Sequence, residues 1–194
     1  MRLHLIRHAS YPLAGTALGG RVDHALDPAG EAQARVLAER LAGSGLAAVY
    51  SSPQRRALQT ADPIARRHDQ GPIVDDCLAE IEFGHWTGRS FAGLADDPAW
   101  QRFNAARSLT RIPGGETMLE SQARLVAFAL GVRDRHQGHE VAVVSHADPL
   151  RALLAHLLGM SLDHWGRIEL APAGRAVVDL DDWGARLLEL HAGP

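Results

Sequence analysis

The sequence predicts an α/β fold, a three-layer sandwich in which helices flank a mostly parallel central sheet. Short apolar runs typical of buried strands alternate along the chain with longer segments of helical periodicity. Helix-capping residues and glycines separate these segments, and the clearest apolar runs end on polar residues. Alternation of strand and helix favours parallel pairing, because a helical crossover brings the chain back to the same end of the sheet.

The elements follow in order. Strands are predicted at 3–6, 47–51 and 141–145, with a short candidate at 73–74. Helices are predicted after the caps Asp27-Pro28, Ser52-Pro53 and Asp148-Pro149, and across 117–137. The pattern over 91–106 is patchily helical and interrupted by Pro98, and the tail over 167–190 has three short strand candidates.

Composition bounds the class of protein. A chain of 194 residues fits one domain, predicted to span 1–194, and such a domain buries a sizeable core. A net charge of -3 argues against a nucleic-acid partner. A single cysteine, Cys77, fits a reducing compartment, and no apolar run is long enough for a membrane span. The start of the chain reads as a strand rather than a signal peptide, so we expect a cytoplasmic protein without a membrane partner.

Polar residues follow three of the predicted strands. Arg7-His8 ends the first strand, Ser51-Ser52 ends the second and leads into Arg55-Arg56, and Ser145-His146 ends the strand at 141–145. The carboxyl ends of parallel strands lie at one edge of the sheet, where α/β proteins bind ligands. Histidines and arginines converging there suit a phosphoryl group, because guanidinium groups and helix N-termini bind phosphate oxygens.

Five ordered blocks of sequence resemble the histidine phosphatase superfamily, the phosphoglycerate-mutase-like family. They are 5–8 (LIRH), 20–34, 51–61 (SSPQRRALQTA), 78–88 with 113–116 (PGGE), and 144–146 (VSH). The resemblance covers essentially the whole chain and implies that His8 becomes a phosphohistidine. It further implies that Arg7, Arg56 and His146 hold the phosphoryl oxygens, and that Glu80 donates a proton to the leaving group.

Several site assignments stay open at the level of sequence. Glu82 lies two residues from Glu80 and competes for the role of acid, although the Leu-x-Glu spacing of the family selects Glu80. Ala147 stands where family members often have glycine, and its amide can still donate to phosphate. We expect Asp148 to cap the following helix. Gly20, Arg21 and His85 are weaker candidates for the substrate rim, and Arg55 is expected to face solvent.

The sequence therefore predicts a metal-independent phosphatase that hydrolyses phosphate monoesters of small molecules and needs no cofactor. Two arginines and a second histidine supply the positive charge that such a reaction requires. A phosphomutase, a phosphoprotein phosphatase and a non-catalytic phosphoryl-binding regulator are the alternatives. A mutase usually needs a longer lid than the segment between Gly88 and Pro113 supplies. A metal-dependent hydrolase ranks last because the sequence has no compact ligand cluster, and the oligomeric state stays open.

Overall fold

The computed structural model describes residues 1–191 and residue 193. The predicted domain boundaries, 1–194, thus include two residues that lie outside the described part. The strands are β1 (Arg2–Arg7), β2 (Leu46–Ser51), β3 (Ile73–Val74), β4 (Glu140–Ser145), β5 (Arg175–Asp181) and β6 (Gly184–His191). The α-helices are α1 (Pro28–Leu41), α2 (Arg55–Arg66), α3 (Phe91–Leu94), α4 (Pro98–Ala105), α5 (Met118–Arg135) and α6 (Ala147–Leu157). Short 3₁₀ helices cover Asp76–Leu78, Gly84–Trp86 and Leu162–Arg167.

The six strands form one mixed sheet in the order β3-β2-β4-β1-β5-β6. β3, β2, β4 and β1 are parallel, whereas β5 is antiparallel to β1 and β6 is antiparallel to β5. In the parallel register Arg7 lies opposite Ser145, and Ser51 lies opposite Val144. The ends of β1, β2 and β4 therefore reach the same level, and the residues that follow them emerge side by side.

Helices cover both faces of the sheet, which confirms the predicted α/β sandwich. On one face, alternate strand residues such as Leu5 and Val143 pack with the apolar sides of α5 and α6. On the other face, Ile6 and Val144 pack with α1 and α2, whose contact surfaces are rich in alanine and leucine. The period-two alternation of the strands thus supplies two separate cores. Within the described residues, no helix is both long enough and apolar enough to cross a membrane.

A third apolar cluster lies away from these two layers and helps to build the wall of the candidate site. It joins Phe83 and Trp86 to Phe103 of α4, Met118 of α5 and Leu162 of the third 3₁₀ helix. Its aromatic rings pack edge to face, with the centroids of Trp86 and Phe103 5.5 Å apart. The segment between β3 and α5, irregular in sequence, is therefore anchored by its own small core.

Three local expectations differ from the structure. α2 begins at Arg55 with Gln54 in the cap position, later than the Ser52-Pro53 start that the sequence predicts. α6 begins at Ala147, so Asp148 lies in its first turn rather than capping it. The tail has two strands instead of three, because residues 168–174 form irregular backbone and a turn before β5 begins at Arg175. The segment over 91–106 forms two short helices, and Asp97 caps the second ahead of Pro98.

The start of α1 is packed too closely against the loop after β1 to accept a larger residue at Gly30. A Cβ atom there would overlap the backbone oxygen of Ser10. Ordinarily, alanine in a helix is more favourable than glycine by about 1 kcal/mol. We nevertheless expect Gly30→Ala to lower the free energy of unfolding by about 1–3 kcal/mol in urea denaturation, because overpacking costs that much.

Gly43→Ala is the matched control, since nothing lies within 4 Å of the added atom. Its effect should stay within about 0.5 kcal/mol. Equal stability of the two variants would contradict the close contact.

Candidate active site

His8 follows the last residue of β1 and is 2% exposed. Its backbone amide donates to the oxygen of Ser145 at 2.8 Å, which continues the ladder between β1 and β4. Its Nδ1 lies 2.8 Å from the backbone oxygen of Ala9, so Nδ1 carries the proton and donates. Burial, and then the positive charge of Arg56, hold the pKa of His8 well below its usual range. The ring is therefore neutral at pH 7, with a lone pair on Nε2.

Arg56 is buried in the first turn of α2, with 1% of its surface exposed. Its Nη1 and Nη2 donate to the backbone oxygens of Val22 and Gly20 at 3.0 and 2.7 Å. The same guanidinium donates from Nε to His8 Nε2 at 3.3 Å and from Nη2 to His146 Nδ1 at 3.1 Å. Arg56 thus connects α2, both histidines and the loop that contains Gly20 and Val22.

His146 follows β4 and is fully buried. Its Nε2 lies 2.8 Å from Ser52 Oγ and 3.0 Å from Gln54 Oε1, which places the proton on Nε2. Its ring centroid is 5.0 Å from that of His8. Burial and the charge of Arg56 lower the pKa of His146 well below its usual range. Its Nδ1 faces Arg56 and lies 3.7 Å from Glu80 Oε2.

Arg7, the last residue of β1, supplies a second guanidinium. Nη1 donates to the backbone oxygen of Leu170 at 2.9 Å, whereas the buried Nε has no hydrogen-bond partner within the described residues. Burial lowers the pKa of Arg7 from its ordinary value, and the charge of Glu80 opposes that shift. The side chain is therefore held at one end and retains an unused donor.

Glu80 is the acidic group at this site. Burial, and then the negative charge of Asp148, raise the pKa of its carboxyl from 4.5 to about 7. Oε1 accepts from the backbone amide of Ile81 at 2.9 Å. The backbone oxygen of Glu80 accepts from Arg21 Nε at 2.9 Å and from Arg124 Nη2 at 3.3 Å. Two arginines thus anchor the main chain of Glu80 while its carboxyl stays close to protonation equilibrium at pH 7.

Glu82 lies in a different environment. Its side chain is 41% exposed, and its Oε2 lies 3.7 Å from Arg21 Nη1. Its Oε1 accepts from the backbone amide of Gly84. The structure therefore separates the two candidate acids: Glu80 lines the cavity described next, whereas Glu82 turns toward Arg21 and solvent.

A cavity of about 270 Å³ opens over these groups. Arg7, His8, Glu80 and Ala147 line it, whereas Arg56 and His146 lie buried beneath its floor.

The three rim candidates lie outside the cavity lining. Gly20 supports Arg56 through its carbonyl. Arg21 pairs with Glu82 and Glu116. The ring of His85 lies against Gly114. Arg55 is exposed, as the sequence predicts.

The far wall of the cavity consists of residues that the sequence did not single out. Arg107, Asp148, Arg151 and Trp165 line it, together with further aromatic residues including Phe91 and Trp100. Asp148 Oδ2 accepts from Arg107 Nη1 at 2.9 Å, a pairing across 41 residues that explains why Asp148 does not cap α6. The spacing of Ala147 and Arg151, one turn apart in α6, was the available signal, because it puts both on one helix face.

Histidines elsewhere do not extend the site. His4 is buried, and its Nε2 lies 2.9 Å from Glu140 Oε2 at the opposite end of β1. Among residues 1–191 and 193, no three His, Cys, Asp or Glu side chains are grouped so that they could hold a metal ion.

A neutral buried imidazole, with guanidinium groups beside it at the carboxyl edge of an α/β sheet, suits the binding and transfer of a phosphoryl group. The model of the histidine phosphatase superfamily (branch 1) matches residues 3–192. The chain therefore belongs to that superfamily, as its sequence motifs predict.

Three relatives illustrate the similarity. Over 197 residues the chain is 30% identical to phosphoserine phosphatase 1 of Hydrogenobacter thermophilus, covering 98% of this chain and 92% of that protein. YhfR of Bacillus stearothermophilus superposes with a TM-score of 0.90 at 28% identity, covering 100% and 97% of the two chains. A mycobacterial glucosyl-3-phosphoglycerate phosphatase superposes with a TM-score of 0.86 at 26% identity, covering 100% and 99%. These relatives support the predicted class of enzyme, a phosphoric monoester hydrolase.

The raised pKa of Glu80 predicts a pH-dependent cost to the fold. The folded state binds the proton of Glu80 more tightly than the unfolded state does. The contribution of this proton to the free energy of unfolding is therefore complete below about pH 4.5 and is lost as the pH rises through about 7. Glu80→Gln removes the titration. We expect its free energy of unfolding, relative to the parent protein, to rise by about 2–3 kcal/mol between pH 5 and pH 8. Urea denaturation at both pH values measures this difference.

Glu82→Gln is the control, because the Glu82 side chain is 41% exposed and lies outside the cavity lining. The difference in free energy of unfolding between Glu82→Gln and the parent protein should stay the same at pH 5 and pH 8 within about 0.5 kcal/mol. If the difference in free energy of unfolding between Glu80→Gln and the parent protein were the same at both pH values, the raised pKa of Glu80 would be contradicted.

Proposed function

We propose that this enzyme hydrolyses phosphate monoesters through a phosphohistidine on His8, without a metal ion. The observation that carries the proposal is the state of His8, whose Nε2 holds a lone pair within 3.3 Å of Arg56 in a cavity of substrate size. A neutral imidazole is a nucleophile, and covalent catalysis divides one difficult displacement into two easier ones. A small phosphorylated molecule is the proposed substrate.

In the first step the lone pair of His8 Nε2 forms a bond to phosphorus while the bond to the leaving oxygen breaks. Positive charge develops on the imidazole, and the hydrogen bond from Nδ1 to the carbonyl oxygen of Ala9 stabilises it. That same hydrogen bond fixes the tautomer, so Nε2 is ready to attack without a prior proton shift.

The three non-bridging oxygens of the transferring group need positive partners throughout. Arg7 and Arg56 are the proposed sources of charge-assisted hydrogen bonds, and the unused Nε of Arg7 is an available donor. A bound phosphate dianion favours uptake of a proton from water by His146 Nδ1, which then donates to the phosphoryl group instead of accepting from Arg56 and loses this proton when inorganic phosphate leaves. The amide of Ala147 lies at the N-terminus of α6, where the helix dipole favours an anion.

Glu80 is the proposed proton donor. A carboxyl with a pKa of about 7 is partly protonated at neutral pH, so it can give its proton to the departing alkoxide. The resulting carboxylate then takes a proton from a water molecule that attacks the phosphohistidine. The bond between Nε2 and phosphorus breaks, its electrons return to the ring, and inorganic phosphate leaves with the enzyme restored.

A phosphomutase would share the first of these steps and is the second candidate. The compact wall formed by α3 and α4 spans only Phe91–Leu94 and Pro98–Ala105, which favours hydrolysis over retention of the product. Enclosure of the reacting group in a cavity of about 270 Å³ favours a small molecule over a phosphoprotein.

The covalent step predicts a trapped intermediate. Rapid quenching in alkali during turnover of a ³²P-labelled monoester should leave label that is stable to base, labile to acid and confined to the peptide that contains His8. Dialysis against a chelator should leave this labelling intact, because side chains supply the positive charge. His8→Ala should abolish the label, whereas the exposed Arg55→Ala should retain it. Label elsewhere, or turnover by His8→Ala, would refute the assignment.

The role of Glu80 predicts a dependence on the leaving group. Glu80→Gln keeps the shape of the side chain but removes the transferable proton. We expect single-turnover phosphorylation of His8 by an alkyl phosphate to slow by about 10²–10⁴-fold, and that by p-nitrophenyl phosphate to slow much less, because nitrophenolate leaves without protonation. Burst-phase kinetics separate this step from hydrolysis of the intermediate.

Glu82→Gln is the matched control for that experiment and should show no such selectivity. If Glu80→Gln slowed phosphorylation by both substrates equally, Glu80 would be excluded as the acid. If Glu82→Gln showed the dependence on the leaving group instead, Glu82 would be the proton donor.

A further inference from the structure

A buried glutamine at the start of α2 is not used by the proposed phosphoryl chemistry. Gln54 occupies the N-cap position of this helix and is 8% exposed. Residues at that position commonly bind the amides of the first helical turn through their side chains. Here Asp23 Oδ1 accepts from the backbone amide of Arg55 at 2.8 Å, and within the described residues the Gln54 side chain makes no capping hydrogen bond. The carboxamide of Gln54 is directed to the active site instead.

The carboxamide oxygen of Gln54 contacts three polar groups of the site. The backbone amide of Glu80 donates to Oε1 at 3.2 Å. Ser52 Oγ lies 2.6 Å from the same oxygen, and His146 Nε2 lies 3.0 Å from it. One buried atom therefore joins the start of α2, the main chain of the proposed acid and the histidine that follows β4.

The amide of Glu80 determines the direction of these hydrogen bonds. A backbone N–H only donates, so the Gln54 atom that faces it is the carbonyl oxygen rather than the amino group. That oxygen only accepts, and the close contact with Ser52 Oγ uses the hydroxyl proton. His146 Nε2, which lies 2.8 Å from Ser52 Oγ, then faces two acceptors and carries the ring proton. The backbone of the proposed acid thus fixes the tautomer of the histidine through Gln54.

The tautomer decides whether His146 meets a bound phosphoryl group as a cation. With the ring proton on Nε2, the lone pair of Nδ1 accepts from Arg56 Nη2 at 3.1 Å. A proton that is taken up with the ligand then goes to Nδ1 and gives the ring a positive charge. Without the oxygen of Gln54, the Ser52 hydroxyl is free to donate to Nε2, and the neutral Nδ1–H tautomer becomes populated. A neutral ring binds a dianion more weakly than a cation does.

We propose that Gln54 is a positioning residue that holds His146 in the Nε2–H tautomer and connects it to the main chain of Glu80. Gln54 lies outside the cavity lining, so it acts through these two groups rather than on the phosphoryl group itself. The effect on phosphate binding rests on the proposed function, whereas the tautomer is a property of the enzyme without substrate.

Nitrogen-15 NMR of the histidine side chains measures the tautomer directly. In long-range ¹H–¹⁵N correlation spectra of the parent enzyme at neutral pH, the ring of His146 should show a protonated Nε2 and an unprotonated Nδ1. Its signals are assigned by their absence from the spectrum of His146→Asn. The opposite pattern in the parent enzyme would overturn the proposal without any variant of Gln54 being needed.

Gln54→Met keeps an unbranched side chain of similar length but removes the acceptor. The Nδ1–H tautomer of His146 should then be populated. Inorganic phosphate, as a competitive inhibitor of p-nitrophenyl phosphate hydrolysis, should bind about tenfold or more weakly than to the parent enzyme. Gln54→Glu restores an acceptor at the same place and should return the ring to the Nε2–H tautomer.

Gln59→Met is the matched control, because Gln59 lies on the same helix and its Oε1 accepts from the backbone amide of Leu26 at 2.8 Å. It should leave the tautomer of His146 and the inhibition constant of phosphate unaltered. If Gln54→Met behaved like this control in both measurements, the positioning role would be overturned. If the tautomer changed as expected but no monoester labelled His8, the proposed function would fail while the positioning of His146 by Gln54 would stand.

Discussion

The burial of Arg56 is the constraint on which the rest of the site depends. Its donors reach two backbone carbonyls and the two histidines, and Tyr11 packs near its face at 5.1 Å. Taking a cation out of water costs several kcal/mol. No carboxylate forms an ion pair with Arg56 among the described residues, so carbonyl dipoles and ring nitrogens supply the compensation. The charge is thereby fixed in place and left available to an anion.

Burial and the charges in the site together set the protonation states around Arg56. Burial and positive charge lower the pKa of both histidines, whereas burial and the charge of Asp148 raise the pKa of Glu80. The environment therefore shifts the pKa of the proposed nucleophile, His8, and that of the proposed acid, Glu80, in opposite directions from their ordinary values. At neutral pH His8 holds a lone pair and Glu80 is partly protonated, which is the combination that a displacement with a poor leaving group requires.

The floor of the site was largely predictable from sequence because it arises from local rules. Buried strands end in polar residues, and parallel register brings Arg7, His8 and His146 together. The wall was not predictable in this way. Asp148 has the sequence context of a helix cap, but its carboxylate pairs with Arg107, a partner brought to it by the separate packing of α4. Such pairings depend on tertiary approach rather than on periodicity.

Tertiary contacts rather than local sequence also decide which glutamate lies at the site and how the C-terminal part of the chain folds. Glu80 and Glu82 lie two residues apart, and only the fold shows that Glu80, 13% exposed, lies beside His146 while Glu82, 41% exposed, faces Arg21. In the tail, residues 168–174 form irregular backbone and a turn instead of the first predicted strand, and the backbone oxygen of Leu170 accepts from Arg7 Nη1. Contacts between distant segments override local preference at both places.

The separate anchoring of floor and wall bears on how such an enzyme diversifies. The floor is built from strand ends and first helical turns, whereas the wall rests partly on its own apolar cluster around Phe103 and Trp86. Mutations in the wall can therefore change how the alcohol portion of a substrate fits, while the residues that are proposed to act on phosphorus stay unchanged. Asp148 breaks this independence, because it pairs with Arg107 in the wall and raises the pKa of Glu80 at the floor. A lineage that exchanges Arg107 to accept a new substrate therefore also alters the pKa of Glu80, the proposed proton donor, so adaptation of specificity and of working pH are linked through a single carboxylate.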